Sequence, residues 1–303
     1  MRVGVIGIGK MGENHLRTYL SLDNHCQLVG IYDNDEKKGN EVADKYKVKQ
    51  FNSIENLLKS VDAVSIAVPT EFHYEIGLLC VQYNVHMLME KPVTDSVEQA
   101  KDLLHKANRT GVKFQVGHIE LFNPLISVLA NELENEKIIG MDFHRMSPYD
   151  EKNRNVDVVK DLMIHDLYIL EELLKDKIVE SYTLGKTLEN TPKHAVVITR
   201  SSEGVIAKLT ASFKSKRKIR TIQILTEDAF IEVDILNNNI RIKRDTITQN
   251  IKLENNMLPL SIQLLDFINC IKLDKIPSVS GEDGIRTLKT TNEISNAIKK
   301  GIT

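Results

Sequence analysis

The chain of 303 residues is long enough for two domains, and its formal net charge of −2 gives no reason to expect a nucleic acid or an anionic membrane surface as a partner. Hydrophobic residues make up 42% and charged residues 27%, as is ordinary for a soluble globular protein. No apolar stretch approaches the length of a membrane span. The cysteines Cys26, Cys80 and Cys270 show no metal-binding spacing, which favours a reducing, cytoplasmic setting without disulfides or zinc.

The first 119 residues alternate apolar, strand-like runs with helical patterns. Strands are predicted at 2–7, 27–33, 62–68, 85–90 and 113–118. Helices are predicted at about 11–22, 36–45, 53–59, 72–84 and 95–109. Strands rich in Val, Ile and Leu that alternate with helices predict a parallel sheet covered on both faces. Right-handed crossovers then give a doubly wound α/β domain over residues 1–119.

Residues 120–303 show a different pattern and are assigned to a second α/β domain. Helical periodicity covers about 123–136, 157–174, 258–272 and 283–299. Apolar residues alternate with polar ones at 204–213, 229–236 and 246–253, which predicts strands with one buried face. The short connections favour antiparallel pairing, and the three asparagines at 237–239 are typical of a hairpin turn.

A glycine motif, Gly7-x-Gly9-x-x-Gly12, directly follows the first predicted strand and opens a helix. In that context the glycines allow a tight turn, a close approach to a pyrophosphate and close helix–strand packing. Lys10 and Met11 lie within the loop and are candidate cofactor contacts. Asp33 ends the second strand, where a carboxylate accepts hydrogen bonds from ribose hydroxyls and repels a 2′-phosphate, so we expect NAD rather than NADP. The alternative is a glycine-rich turn without a ligand.

Two further segments end predicted strands, where ligands of open α/β sheets bind. Pro69 follows the third strand and is a candidate for the cofactor rim, and His73 is interpreted as a helix-start or cofactor-rim residue. Glu90, Lys91 and Pro92 follow the fourth strand. A partly desolvated Lys91 ammonium can act as an acid or a base. The alternative is a surface lysine paired with Glu90.

The segment DVVKDLMIHDLYIL (157–170) predicts a largely buried helix with a narrow polar stripe made of Asp157, Asp161, His165 and Tyr168. Asp161 and His165 are i,i+4 neighbours, and an adjacent carboxylate suits His165 to accept a proton. Asp166 lies off the stripe and is interpreted as structural, bonded to backbone N–H groups. The alternatives are an ordinary buried Asp–His pair or a metal site, for which the sequence places no third ligand.

Taken together, Gly7-x-Gly9-x-x-Gly12, Glu90-Lys91-Pro92 and Asp161-x-x-x-His165 resemble the Gfo/Idh/MocA oxidoreductases over essentially the whole chain. The resemblance implies an NAD-binding Rossmann domain and a substrate-binding and oligomerisation domain with a large, mostly antiparallel open sheet. It implies NAD(P)-dependent hydride transfer at a secondary alcohol of a sugar. Lys91 would bind and polarise the reacting oxygen, His165 would exchange its proton, and Asp161 would orient His165. Glu90 would be one of the cofactor-binding residues.

Within the family, the segments 116–124 and 161–170 resemble the enzymes that oxidise UDP-N-acetylglucosamine at its 3-position. The basic segment KSKRKIR (214–220) then offers Lys218 and Arg220 as a diphosphate clamp, the alternative being a solvated hairpin loop. Other hypotheses are a free-sugar or inositol dehydrogenase and a non-catalytic NAD-binding regulator. The resemblance also implies a homodimer or homotetramer formed through the C-terminal sheet.

Overall fold

The computed structural model of the chain describes residues 1–254 and 258–301. Its N-terminal part alternates strands and helices, as the sequence predicts. The strands are β1 (Arg2–Ile6), β2 (Gln27–Tyr32), β3 (Ala63–Ile66), β4 (His86–Glu90) and β5 (Phe114–Gly117). The helices are α1 (Lys10–Ser21), α2 (Glu36–Tyr46), α3 (Ile54–Leu58), α4 (His73–Gln82) and α5 (Val97–Thr110).

The remainder of the chain is richer in strands than its sequence pattern indicates. Helix α6 (Pro124–Glu132) leads into β6 (Ile138–Met146), and a π-helical turn (Val159–Met163) runs into α7 (Ile164–Leu174). The strands that follow are β7 (Ile178–Leu188), β8 (Thr191–Ser201), β9 (Ile206–Ser212), β10 (Ile219–Thr226), β11 (Phe230–Asp234), β12 (Asn239–Arg244) and β13 (Ile247–Lys252). The last two helices are α8 (Pro259–Lys272) and α9 (Gly281–Lys300).

The two sheets confirm the predicted fold class. The first has five parallel strands in the order β2-β1-β3-β4-β5. The second has eight strands in the order β13-β12-β11-β10-β6-β9-β8-β7, antiparallel throughout except for the parallel pair β6–β9. Asn238, with φ of 50°, lies in the turn between β11 and β12, where the three asparagines predicted a hairpin.

The division of the chain into compact units corrects the predicted domains. The first unit comprises 1–119 together with 258–288, whereas the sequence pattern assigned 258–288 to the second domain. The reason is packing: four apolar side chains of α8 belong to the same buried cluster as Val3 and Leu16, namely Leu260, Leu264, Phe267 and Ile268. Each buried side chain of this size contributes about 1.5–3 kcal/mol, so α8 supplies a large share of that unit's stability.

The second unit comprises 120–254 and 289–301 among the described residues. One face of its eight-stranded sheet is covered by α6, the π-helical turn and α7, and the apolar residues between them form one cluster. Phe143, Val197, Leu209 and Ile224 contribute from neighbouring strands, as residues on one face of a pleated sheet do. The C-terminal half of α9 adds Ile294 and Ile298 to the same cluster.

Candidate active site

The glycine motif lies in the connection between β1 and α1, where each glycine has its own steric reason. Gly7 has φ of +85°, a conformation that favours glycine. A Cβ on Gly12 would lie 1.8 Å from the carbonyl oxygen of Gly7, so only glycine lets α1 approach β1 this closely. Gly9 is the N-cap of α1, and a Cβ there would meet nothing within 4 Å. The open space beside Gly9 and the N-terminus of α1 fit a bound pyrophosphate.

A cleft of about 620 Å³ adjoins this turn, within the range of small-ligand sites. It is lined by Gly7, Gly9, Lys10, Met11, Asp33 and Pro69, all of which the sequence predicts as cofactor residues. Tyr32, Asn34, Asp35, Lys38 and Phe72 also line it, and sequence reasoning did not select them. The residues present therefore fit a dinucleotide. The other predicted cofactor residues, Gly12, His73, Glu90 and Lys91, do not line this cleft.

Asp33 has a second role besides the predicted one. Its Oδ2 accepts a hydrogen bond from the N–H of Ile8 at 2.6 Å, and its Oδ1 accepts one from the N–H of Asp35 at 2.9 Å. The carboxylate therefore ties the glycine loop to the end of β2. An ionised carboxylate offers about four acceptor sites, so two remain for ribose hydroxyls.

His73 begins α4, in agreement with the helix-start interpretation, and it does not line the cleft. Its ring is buried, with Nδ1 2.9 Å from the carbonyl oxygen of Pro92 and Nε2 3.0 Å from that of Val68. Burial lowers the pKa of His73, although these carbonyls oppose the shift. Both ring nitrogens face backbone, so the imidazole joins the loop after β3 to the loop after β4.

Lys91 follows β4 and is half-buried. Its backbone N–H donates to Oε2 of Glu90 at 3.3 Å, and a cis peptide bond joins it to Pro92. His118, at the end of β5, is a buried neighbour that sequence reasoning missed. Burial, assisted by the charge of Lys91, lowers the pKa of His118 to about 3. His118 is therefore neutral near pH 7.

The predicted polar stripe is only partly correct. Asp161 lies in the π-helical turn and His165 in the first turn of α7, and both are half-buried. Asp157 is buried instead, where Oδ1 accepts from the N–H of Val159 at 2.9 Å and Oδ2 accepts from the hydroxyl of Ser295 at 2.5 Å. Tyr168 is also buried. The π-helical turn at Val159–Met163 also interrupts the single α-helical register that the prediction assumed for 157–170.

A buried charge cluster supports this turn. Arg145 donates to Glu120 Oε1 from Nη1 and to Asp166 Oδ1 from Nε, both at 2.8 Å. Asp166 thus bonds to a side chain rather than to the expected backbone N–H groups. Burial acts against the charge of Glu120, yet Arg145 outweighs it and holds the pKa of that carboxyl below its usual value.

Arg220 extends the same cluster. It faces Arg145 across the β10–β6 pair and donates to Glu120 Oε1 at 3.2 Å. Asp161 is close enough to act on the charge of Arg220. Lys218 is exposed just before β10. The basic segment is not the hairpin loop of the alternative interpretation, because β9 and β10 lie on opposite sides of β6.

The described residues contain neither a candidate metal site nor a membrane-spanning helix. Across 1–254 and 258–301, no group of three or more His, Cys, Asp or Glu side chains is arranged to hold a metal ion. Over the same residues, no helix combines the length and the apolar character needed to cross a membrane.

Known proteins share both the sequence and the fold. A model of the oxidoreductase family with an NAD-binding Rossmann fold, Gfo/Idh/MocA, matches residues 1–118. The UDP-N-acetylglucosamine 3-dehydrogenase of Acidithiobacillus ferrooxidans is 32% identical over 241 residues, covering 79% of this chain and 76% of that protein. The chain belongs to the Gfo/Idh/MocA oxidoreductase family. Its predicted class, a dehydrogenase acting on a CH–OH group, is confirmed.

One solved structure and one further relative are also similar to this chain. A solved structure of the Acidithiobacillus ferrooxidans enzyme has a TM-score of 0.94 at 29% identity and covers 100% of this chain and 99% of that chain. The inositol 2-dehydrogenase of Rubrobacter xylanophilus is 27% identical over 198 residues, which cover 63% of this chain and 56% of that protein. These two relatives are named for different substrates.

The glycine motif of this family member gives a matched pair of variants. Gly12→Ala should destabilise the protein by about 1–3 kcal/mol or more, because its Cβ overlaps backbone. Gly9→Ala should change stability by less than about 0.5 kcal/mol, yet weaken NADH binding at least about tenfold because its Cβ enters the pyrophosphate position. Denaturant unfolding and NADH titration measure both. Unchanged NADH affinity in Gly9→Ala would remove the glycine loop from the cofactor site.

His118 gives a prediction on pH. The unfolded chain binds a proton at His118 below pH 6.5 and the folded protein does not until about pH 3, so stability falls as the pH falls. Between pH 7 and pH 5 the wild type should lose about 2 kcal/mol more unfolding free energy than His118→Asn. Denaturant unfolding at both pH values measures this difference. Equal losses in the two proteins, or a ring that titrates by NMR between pH 5 and 8, would contradict the assignment.

Proposed function

We propose that this chain is an NAD-dependent dehydrogenase acting on a secondary alcohol of a nucleotide sugar, with the 3-hydroxyl of UDP-N-acetylglucosamine as the first candidate. The observation that carries the proposal is the 32% identity, over most of both chains, to an enzyme of that name. The shared fold of the solved structure supports it. The family signatures at Gly7–Gly12, Glu90–Pro92 and Asp161–His165 supply the residues.

NAD, when bound in the cleft beside Gly9, takes up or returns the hydride. The protein supplies orientation and proton transfer. We assign Lys91 to bind and polarise the reacting oxygen and His165 to exchange the hydroxyl proton. Asp161 orients the imidazole and stabilises its charged form.

Recognition of a diphosphate is assigned to Lys218 and Arg220. Support comes from the second unit alone. The Asp161 carboxylate is close enough to act on the charge of Arg220, so the basic residue and the proposed catalytic carboxylate are near neighbours. A guanidinium suits a phosphate because its N–H groups match two oxygens. The Arg220 guanidinium already donates a hydrogen bond to Glu120, so the exposed Lys218 is the more accessible positive charge.

The same ion pair favours a second candidate, a free sugar or an inositol. Glu120 neutralises much of the Arg220 charge at 3.2 Å, and an uncharged polyol needs no cationic site. The similarity to the inositol 2-dehydrogenase points in the same direction. A substrate panel separates the two candidates.

The open face of the eight-stranded sheet is the proposed surface for self-association. Ile206 and Leu225 flank Gly140 in register, and Tyr182 pairs with Ile198 nearby. These four apolar side chains are 45–62% exposed. Such a patch on an antiparallel sheet is typical of an interface, so we infer a homodimer or homotetramer through this face.

The substrate panel is the direct test. NADH fluorescence is followed after mixing the protein and NAD with UDP-N-acetylglucosamine, UDP-glucose, glucose, xylose or myo-inositol. We expect a signal that requires the UDP group. A signal with a free polyol alone would select the second candidate. Silence with all substrates, with NADH binding intact, would favour the non-catalytic regulator.

Lys91→Met tests the assigned role of the lysine. With the active substrate, kcat should fall at least about 100-fold, because general acid–base groups contribute roughly 10²–10⁴-fold. NADH affinity should stay within about threefold. Lys101→Met, at an exposed position on α5, is the matched control. Loss of NADH binding in Lys91→Met with the fold intact would make Lys91 a cofactor residue instead.

Asp33→Asn tests the choice of cofactor. Removing the negative charge while keeping one acceptor oxygen should lower the NADH-to-NADPH affinity ratio at least about tenfold, because repulsion of the 2′-phosphate is lost. Asp44→Asn, at an exposed position on α2 outside the lining of the cleft, is the control. The two affinities are measured by fluorescence titration. An unchanged ratio in Asp33→Asn would reject Asp33 as the discriminating residue.

A further inference from the structure

A buried chain of polar side chains runs through the first unit beneath the strand ends. His15 of α1 lies 2.9 Å from Ser65 Oγ through Nδ1 and 3.1 Å from Glu90 Oε1 through Nε2. The hydroxyl of Tyr19 lies 2.9 Å from the same Ser65 oxygen. His15, Tyr19 and Ser65 are fully buried, and Glu90 is 9% exposed.

The chemistry of these groups gives the chain one direction. The Glu90 carboxylate only accepts hydrogen bonds, so Nε2 of His15 carries the proton on that side. The Ser65 oxygen lies within hydrogen-bond distance of both Nδ1 of His15 and the Tyr19 hydroxyl. Burial raises the pKa of Tyr19, so its hydroxyl keeps the proton that it donates. Every member is satisfied in this arrangement, as a buried network requires.

The chain ends at the backbone of Lys91. The second oxygen of Glu90, Oε2, accepts from the Lys91 N–H at 3.3 Å. Gly117, which pairs with Glu90 across β5 and β4, makes room for this carboxylate, because a Cβ there would lie 3.0 Å from Oε1. A buried carboxylate is costly unless it is paired. The same carboxylate binds the imidazole through one oxygen and the lysine loop through the other.

We propose that His15 is a positioning residue for Lys91, acting through Glu90. The imidazole holds the carboxylate in one orientation through Oε1, and the carboxylate holds the Lys91 backbone through Oε2. The proposal rests on the role assigned to Lys91 in the proposed function. The effect on the lysine is measurable without a substrate.

Two substitutions of His15 separate its two hydrogen bonds. Glutamine can carry an N–H at about the reach of Nε2, toward Glu90, whereas asparagine reaches only as far as Nδ1, toward Ser65. In His15→Asn the carboxylate loses its contact with the imidazole, so the Lys91 backbone and the side chain that it carries are no longer held in one position. Labelling of Lys91 by an amine-specific acylating reagent, read by peptide mass spectrometry with Lys101 as the internal reference, reports this change.

We expect the rate of Lys91 labelling to change at least about threefold in His15→Asn, and to stay near the wild-type rate in His15→Gln. The decisive measurement is the same substitution in a Glu90→Gln background, where the His15→Asn effect should disappear because the carboxylate is absent. An unchanged rate in His15→Asn, or an effect that persists in Glu90→Gln, overturns the proposal. If His15→Asn does not fold, Ser65→Ala takes its place, because it removes the hydrogen bond at Nδ1 that helps to fix the imidazole against Glu90.

Activity adds a second readout. In His15→Asn, kcat should fall while NADH affinity and substrate KM stay near the wild-type values, and His15→Gln should restore kcat. Equal weakening of NADH binding by both variants would mean that His15 only supports α1, which overturns the proposal. If Lys91→Met leaves kcat unchanged, the function assigned to Lys91 is rejected instead. The labelling result for His15 does not depend on that outcome.

Discussion

The contact between α1 and the end of β1 is the constraint on which the rest of the first unit depends. Because Gly12 has no side chain, the helix backbone can lie against the Gly7 carbonyl. That contact brings the helix N-terminus to the cleft and sets its inner face against β3 and β4. Asp33 then fastens the loop from the other side through the Ile8 N–H. The missing side chain at Gly12 therefore determines the positions of both the glycine turn and the buried side chains of α1.

The second unit relies on charge where the first relies on close packing. Arg145 is almost completely buried and bonds to carboxylates from two separate segments, Glu120 and Asp166. Breaking such a pair costs about 3–5 kcal/mol, because the remaining charge is left uncompensated. The cluster thus holds α7 against the sheet beside His165. A π-helical turn at this point re-aims Asp161, as such turns often do at functional sites.

The sequence predicts those features that depend on local pattern. The five parallel strands, the glycine turn and the position of Asp33 follow from apolar runs and residue spacing over short distances. Asp157 and Asp161 have the same helical spacing, and only Ser295, 138 residues away, distinguishes the buried one from the half-buried one. Strand β7 alternates poorly because much of both its faces is exposed, so it gave no strand signal. His15 and His118 carry no sequence signature, and only burial and neighbours identify them.

The return of residues 258–288 to the first unit also has a consequence for biosynthesis. The side chains of α8 that complete the core around Val3 and Leu16 are translated only after the whole eight-stranded sheet. During synthesis the N-terminal strands and helices therefore keep part of their apolar surface exposed until α8 has been translated. A nascent chain with exposed apolar surface is prone to aggregation and is bound by chaperones. The order of assembly on the ribosome thus differs from the order of the elements along the chain.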